Sequence, residues 1–486
     1  MIETAAAALL AIGLLLFDAL CIPKPGMRVP PRSLAGTMVL LSFGLSLFGF
    51  LLLLTGAPVT AAVVTLLLAA CLTLISNVKH AVLGEPLVFS DFALVVAVFQ
   101  QPQFYISALK RWQIVALVGG LIVLIGCIAG FSNAEIAPRL LGAALMLAGG
   151  VILAGLLRLS AWQNMANMPD LAGDVRQHGL VAATLVYWSH WRKLADPPEC
   201  DLPAIPAAGD LLVVVVQSES FSDPDDLFGA GTGAMPGLAT ARAAAMQSGR
   251  LIVPGFGAYT MRTEYGVLFG RNEQQLGVRR FDPFLTARGE TSWALPRRLQ
   301  REGWTSHFLH PHDLRFYGRD RLMPEAGFDR IVGAEGFAPP PLGDGRYVTD
   351  AAVGDVILET AKQAAGPTLI YAVTIENHGP WPVESKVADK HLPYLRLLQR
   401  SDAMLLRLVE EQPRLGRPVI LCFFGDHRPS IPQASEPGGD RHTPYVIASF
   451  GSDGKPHASV AGPVDLTPAE LHHVLLAAIG SGLAKR

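Results

Sequence analysis

The stretch Leu211-Leu212-Val213-Val214-Val215-Val216-Gln217-Ser218-Glu219-Ser220-Phe221 decides how the C-terminal half of this chain folds. An apolar, β-branched run that breaks at once into polar residues reads as a strand. Two more runs of the same kind follow, Thr368 to Thr374 and Pro418 to Phe424. They alternate with Ala/Leu/Arg-rich helical segments, Ala352 to Ala364 and Leu395 to Glu411. This alternation predicts an α/β domain with a central, mostly parallel sheet.

Toward the N-terminus the pattern changes. With 486 residues and a mean hydropathy of +0.35, the chain is too apolar for an ordinary soluble enzyme and too long for one core. Apolar runs close to the roughly 20 residues that cross a bilayer lie at about 3–21, 36–55, 58–76, 114–131 and 138–158. They predict an α-helical membrane domain of about five helices over residues 1–160. The turn Thr55-Gly56-Ala57-Pro58 predicts a tight hairpin between the second and third. After the third, Leu83 to Leu87 and Phe89-Ser90-Asp91 lead into Phe92 to Phe99, too short to span. This segment reads as an interfacial helix near 86–100 or as an ordinary loop helix, with Ser90 and Asp91 as candidate N-caps. No basic stretch precedes the first span, which therefore reads as a retained anchor and not as a cleaved signal. A polar connector, residues 161–209, ends in the Pro-rich piece from Pro197 to Pro206, and residues 210–486 form the second domain.

The net charge of −2 and the absence of any Lys/Arg-rich run exclude nucleic acid as a partner. Five cysteines, of which Cys21, Cys71 and Cys127 lie in apolar runs, make neither a disulfide framework nor a thiolate metal site. Cys422 reads as a small buried hydrophobe. Lys24, Arg28 and Arg32 follow the first span, and Lys79, Lys110 and Arg111 follow the third. The positive-inside rule favours both loops as cytoplasmic, and with five spans it would put the C-terminal domain there too. The span centres carry no charge, which argues against a transporter and for an anchor.

In α/β sheets the reactive side chains gather past the carboxyl ends of the strands. There the sequence offers Glu219 after the first run and Asp426-His427 after the last, a set suited to one divalent cation. Taken singly, Glu219 could cap a helix and Asp426-His427 could be a loop salt pair. The middle run ends in Glu376-Asn377-His378, where His378 is either a structural histidine or a proton-transfer or phosphate-binding group. A nucleophile must come from elsewhere. Gly255-Phe256-Gly257-Ala258-Tyr259-Thr260 runs into a helical segment whose N-terminal N–H groups could hold phosphate oxygens beside Thr260. The plainer alternative makes Thr260 an N-cap with Thr263 and Glu264 in capping-box roles.

Taken in order, Glu219, Thr260 with Glu264, His310 ahead of Phe316-Tyr317-Gly318-Arg319-Asp320, Asn377-His378 and Gly425-Asp426-His427 resemble the signature of lipoteichoic acid synthases and glucan phosphoglycerol transferases. That resemblance covers nearly the whole chain. It implies the alkaline phosphatase and sulfatase superfamily, and so an extracytoplasmic sulfatase-like catalytic domain on a multi-pass anchor in the bacterial cytoplasmic (inner) membrane. It further implies Glu219, Thr260, Asp426 and His427 as ligands of one Mn²⁺ or Mg²⁺, with Zn²⁺ as an alternative, and Thr260 as nucleophile. Arg319, His378 and His310 are implied as the groups around the phosphoglycerol headgroup. The implied donor is a phosphatidylglycerol-type lipid, and the implied acceptor a glycan or a glycerol-phosphate chain. Met261-Arg262 and Tyr317 depart from the residues usual in Gram-positive synthases, which leaves the acceptor open.

A formylglycine sulfatase would need Cys-x-Pro-x-Arg, and Cys21-Ile22-Pro23-Lys24-Pro25 does not supply it. A phosphoethanolamine transferase, which shares the threonine and the anchor, or a phosphodiester or sulfate ester hydrolase of the same superfamily is the enzymatic alternative. A membrane accessory protein with a degenerate domain is the non-enzymatic one, and the presence of all four ligand candidates speaks against it.

Overall fold

The computed structural model describes residues 2–25, 32–94, 111–130, 132–203, 205, 209–299, 303–341, 345–381, 391–432, 434–459 and 462–484. They form two compact units, Met1–Leu194 and Ala195–Arg486.

The first unit is a membrane domain built from α1 (Ile2–Leu20), α2 (Leu34–Thr55), α3 (Pro58–Leu83), α4 (Arg111–Gly130) and α5 (Ile136–Leu156), which coincide with the five apolar runs. On the described residues, α2, α3 and α5 are each long and apolar enough to cross a bilayer. The predicted hairpin is present. Gly56 takes a left-handed φ of 66°, its N–H closes on Leu52 O, and Pro58 opens α3.

Helices α2 and α5 run antiparallel in backbone contact. A Cβ on Gly149 would stand 2.7 Å from Ser46 N, and one on Gly49 or Gly142 would meet the main chain of Met146 or Leu53. In lipid, where burying apolar surface gives no advantage, such close approach is what holds helices together. By contrast α1 and α3 run parallel, joined where Thr73 Oγ1 donates to Phe17 O (3.2 Å) and Asn77 Nδ2 to Leu20 O (3.0 Å). The C-terminal ends of α1, α3 and α5 and the N-terminal end of α2 therefore share one side.

Two short helices, α6 (Leu171–His178) and α7 (Leu180–Trp191), complete this unit on that side. Buried Arg32 ties them in, pairing with Asp18 (2.9 Å) and donating to Val175 O (2.8 Å) and Arg176 O (3.0 Å). Lys79 pairs with Asp91 (2.5 Å), and Phe89 stacks on Trp191. Asp91 is not an N-cap. Its Oδ2 reaches back to Val88 N (2.7 Å), which places it in the first turn of the 3-10 segment Phe89–Leu94, because its short side chain is already engaged by Lys79. The remainder of the expected interfacial helix, residues 95–100, lies outside the described residues.

The second unit is a seven-stranded sheet of β1 (Leu212–Ser218), β2 (Ala245–Ile252), β3 (Thr305–Leu309), β4 (Arg330–Val332), β5 (Thr368–Val373), β6 (Val419–Gly425) and β7 (His442–Phe450). Their order is β2-β7-β6-β1-β5-β3-β4; β6, β1, β5, β3 and β4 are parallel, and β7 is antiparallel to both its neighbours. Around it lie α8 (Thr260–Phe269), α9 (Arg319–Glu325), α10 (Asp350–Gln363), α11 (Leu392–Glu410) and α12 (Pro468–Ala484). Leu212, Val214 and Val216 pack in one core with Val353 and Ile357 of α10 and Leu398 and Leu405 of α11. Val213 and Val215 face the other way and are equally buried. With both faces covered, β1 needs apolar residues at successive positions and shows no alternation.

The Pro-rich segment is fastened to this unit. Cys200 N donates to Ser292 Oγ (3.0 Å), Trp293 Nε1 to Pro198 O (3.2 Å) and Arg279 Nη2 to Ala195 O (2.9 Å).

Candidate active site and metal centre

The order β6-β1-β5-β3 sets four carboxyl ends side by side, and register keeps them level: Ser218 pairs with Gly425, Gln217 with Val373 and Leu309 with Ala372. The residues that follow are Asp426-His427, Glu219, Thr374 to His378, and His310. Sequence positions separated by two hundred residues thus meet along one edge.

Glu219, Asp426 and His427 are all buried, and one potential ligand atom from each lies within 4.8 Å of the others. His427 Nε2 stands 3.4 Å from both Glu219 Oε1 and Asp426 Oδ2. The ring is oriented by Nδ1, which sits 3.1 Å from Arg428 O; a carbonyl only accepts, so Nδ1 carries the proton and Nε2 presents a lone pair. Asp426 Oδ1 receives Ser220 N (2.7 Å) and His427 N (2.9 Å), while buried Asp426 Oδ2 has no hydrogen-bond donor among the described residues. Burial first, and the neighbouring Asp426 second, push the Glu219 carboxyl well above its ordinary range. Two buried carboxylates, one unserved oxygen and an imidazole lone pair converging on one point fit a divalent cation. Glu219 caps no helix; that task falls to Asp223 at the next one.

Thr260 is the first residue of α8, and the capping position before it belongs to Tyr259, which makes no side-chain cap. The alternative roles are taken up otherwise. Thr263, one turn on, donates to Asp426 O (2.7 Å), and Gly257 N donates to Arg428 O (2.8 Å). Thr260 is thereby bracketed between two anchors on the Asp426-His427-Arg428 segment. Glu264 forms a bidentate pair with Arg319, through Nε (3.1 Å) and Nη2 (2.5 Å), with both side chains almost wholly excluded from solvent. Arg319 Nη1 faces His310 Nε2 at 3.4 Å.

His310 and His378 repeat the His427 arrangement. His310 Nδ1 is 3.1 Å from Val373 O, and His378 Nδ1 is 2.7 Å from Gly379 O, so each turns Nε2 away from that carbonyl as an acceptor. Desolvation lowers both, His378 to about 4, so its ring is neutral at pH 7 and leaves Nε2 unprotonated. Its edge meets the Tyr347 ring at 5.9 Å.

Backbone strain collects here as well. Among the described residues the non-glycines with positive φ are Ser220 (51°), Tyr259 (73°) and Tyr317 (60°). The first two directly flank Glu219 and Thr260, and Tyr317 lies two residues before Arg319. Strain of this kind persists where surrounding structure enforces it, and it clusters at functional sites.

The protein family described as Sulfatase matches residues 212–475, from β1 into α12. The chain belongs to the sulfatase family. Over 422 residues, 80% of this chain and 77% of the relative, this sulfatase-family protein is 30% identical to the capsular polysaccharide biosynthesis protein RkpI of Rhizobium meliloti (strain 1021). It is 23% identical over 223 residues to lipoteichoic acid synthase 1 of Bacillus subtilis (strain 168), covering 39% of this chain and 34% of that one. Among solved structures, the integral membrane lipooligosaccharide phosphoethanolamine transferase A of Neisseria meningitidis aligns with a TM-score of 0.51 at 12% identity. That alignment covers 92% of this chain and 96% of the other, so the likeness of fold extends through the membrane domain.

Sequence reading missed Glu264 as the partner of Arg319, although its place one helical turn after Thr260 was a usable signal. It also missed Thr374, whose hydroxyl accepts Glu219 N–H at 3.0 Å, and the buried acid Asp350. Neither stands in a motif.

Proposed function

We propose that this sulfatase-family protein is a membrane-bound phosphoglycerol transferase, moving glycerol phosphate from a phosphatidylglycerol-type lipid to a glycan or glycerol-phosphate acceptor. The observation that carries this reading is the convergence of Glu219, Asp426 and His427 beside a helix whose first residue is Thr260. Glu219, Asp426, His427 and Thr260 would hold a divalent cation. Three of these donors are oxygens and one is imidazole, a set that suits Mn²⁺ or Mg²⁺ and also admits Zn²⁺. When bound, the cation would lower the proton affinity of the threonine hydroxyl and neutralise charge on phosphoryl oxygens.

In the first step Thr260 Oγ1 attacks the donor phosphorus, the bond to the diacylglycerol oxygen breaks, the threonine proton passes to that departing oxygen with His378 as the candidate carrier, and a phosphoglycerol ester of Thr260 remains. In the second, an acceptor hydroxyl attacks that ester from the opposite side and Thr260 leaves. His378, neutral and with Nε2 as acceptor, is suited to take the proton of that hydroxyl. Arg319, fixed by Glu264, contributes positive charge next to His310 at the headgroup end.

The same reading places the side shared by the C-terminal ends of α1, α3 and α5 outside the cytoplasm. Two of the cations that argue otherwise are spent internally, Arg32 on Asp18 and Lys79 on Asp91. The positive-inside rule counts Lys and Arg whatever acids they pair with, so this orientation rests on the proposed activity and not on charge.

The test is to incubate the full-length protein and Thr260→Ala with phosphatidylglycerol carrying a fluorescent acyl chain, with Mn²⁺ or chelator, and to follow labelled diacylglycerol. Metal-dependent release that Thr260→Ala abolishes supports the donor half-reaction. Release from the equivalent phosphatidylethanolamine instead would establish the alternative headgroup, and release from neither would sink the reading.

A further inference from the structure

Both acids of the cation site are held by one residue. Ser220 N donates to Asp426 Oδ1 (2.7 Å), and Ser220 Oγ donates to Glu219 Oε1 (2.9 Å). Its carbonyl is engaged as well, accepting the hydroxyl of Tyr394, a residue of α11, at 2.9 Å. Ser220 and Tyr394 are both buried, so these bonds lie out of water. Donor, hydroxyl and carbonyl of Ser220 are all spent on fixing the turn that carries β1 into the site.

That turn needs a left-handed φ of 51° at Ser220, where a side chain crowds the following carbonyl and which glycine adopts freely. Glycine here would keep both main-chain bonds and lose only the hydroxyl. What serine adds over glycine is the contact to Glu219. Without a cation, buried carboxylates whose ligand atoms lie within 4.8 Å of each other repel, and an unrestrained Glu219 would turn away from Asp426. The hydroxyl opposes this by fixing the carboxylate whose Oε1 stands 3.4 Å from His427 Nε2. A ligand carboxylate that is itself hydrogen-bonded is oriented before the metal arrives.

We propose that Ser220 is a positioning residue for the cation site, its hydroxyl holding the Glu219 carboxylate and its N–H that of Asp426 in the arrangement that a divalent cation requires. The proposal rests on reading Glu219, Asp426 and His427 as a cation site.

The experiment is calorimetric titration of Mn²⁺ into the full-length protein in detergent, with the metal-free melting temperature of each variant measured alongside. Ser220→Gly and Ser220→Ala both remove the hydroxyl and keep the N–H. Each is expected to weaken Mn²⁺ binding about tenfold, the scale for losing the hydrogen-bond partner of a ligand. Their stabilities should differ all the same, because only glycine relieves the left-handed strain: Ser220→Gly should melt about 1–2 °C above Ser220→Ala while binding no more tightly. Ser306→Ala removes a buried hydroxyl bonded to Asp329 (2.8 Å) near the amino end of β3, the end of the strand away from the site. It should lower the melting temperature and leave Mn²⁺ affinity unchanged. Affinity within about threefold of wild type in either Ser220 variant overturns the proposal, as does a loss that simply follows melting temperature through the whole series, Ser306→Ala included. Should wild type bind no Mn²⁺, or bind it equally after Glu219→Gln, the cation site itself fails and the proposal falls with it.

Discussion

Replacing Glu264 by Gln keeps the shape of the side chain and removes its charge, leaving the Arg319 guanidinium buried without a counter-ion. Both side chains are at most 2% exposed, so water cannot enter to solvate the orphaned charge. Breaking a buried pair from one side costs about 3–5 kcal/mol, because an uncompensated charge remains in a low-dielectric site. For a unit the size of Ala195–Arg486, about 2 °C of melting temperature corresponds to each kcal/mol, so the expected fall is about 6–10 °C. The assay is tryptophan fluorescence during heating of detergent-solubilised, metal-free protein at pH 7. The double replacement Glu264→Met with Arg319→Met leaves neither charge behind and should recover most of that loss. It should nonetheless remain inactive in diacylglycerol release. A fall under about 2 °C in Glu264→Gln, or a double variant no more stable than the single one, would refute the argument that each charge is there to compensate the other.

Other consequences can be checked separately. Mn²⁺ at a hundred times its dissociation constant should stabilise the wild type by about 2.7 kcal/mol. Asp426→Asn should abolish that gain and yet raise metal-free stability, since it removes the negative charge that faces Glu219. His378 is held neutral with its folded value near 4, below the usual 6.5, so the unfolded chain takes up the proton first as pH falls. The stability due to the buried neutral ring is therefore complete above about pH 6.5 and lost toward pH 4, and the melting-temperature gap between wild type and His378→Gln should narrow across that window. The acceptor step should show no His378 titration between pH 5 and 8. In the membrane domain, Gly142→Leu places a side chain against the Leu53 backbone and should separate α2 from α5, read as loss of an α2–α5 cysteine crosslink.

Much of this was legible in the chain. Strands β1, β5 and β6 stand where their β-branched runs end in polar clusters, because a strand covered on both faces has no polar alternation to obscure it. The five apolar helices were equally plain, since bilayer thickness imposes a length on them. Strands β2 and β7 were not foreseen. Ala245–Ile252 is half polar, with its outer edge bonded by Val464 and Leu466, and its pairing with His442–Phe450 is settled by partners two hundred residues away.

For the site, the sequence by itself determined which residue types could do chemistry: the acids and histidines just after strands and the threonine after a glycine turn. Their local context follows from where a buried strand must stop. It could not determine how those groups pair. That Arg319 closes on Glu264, that Thr263 and not Thr260 anchors α8 to Asp426, and that the Thr374 hydroxyl accepts from Glu219 N depend on strand order β6-β1-β5-β3. Strand order is a property of the packed sheet, where side chains far apart in the chain become neighbours only once the intervening helices are in place.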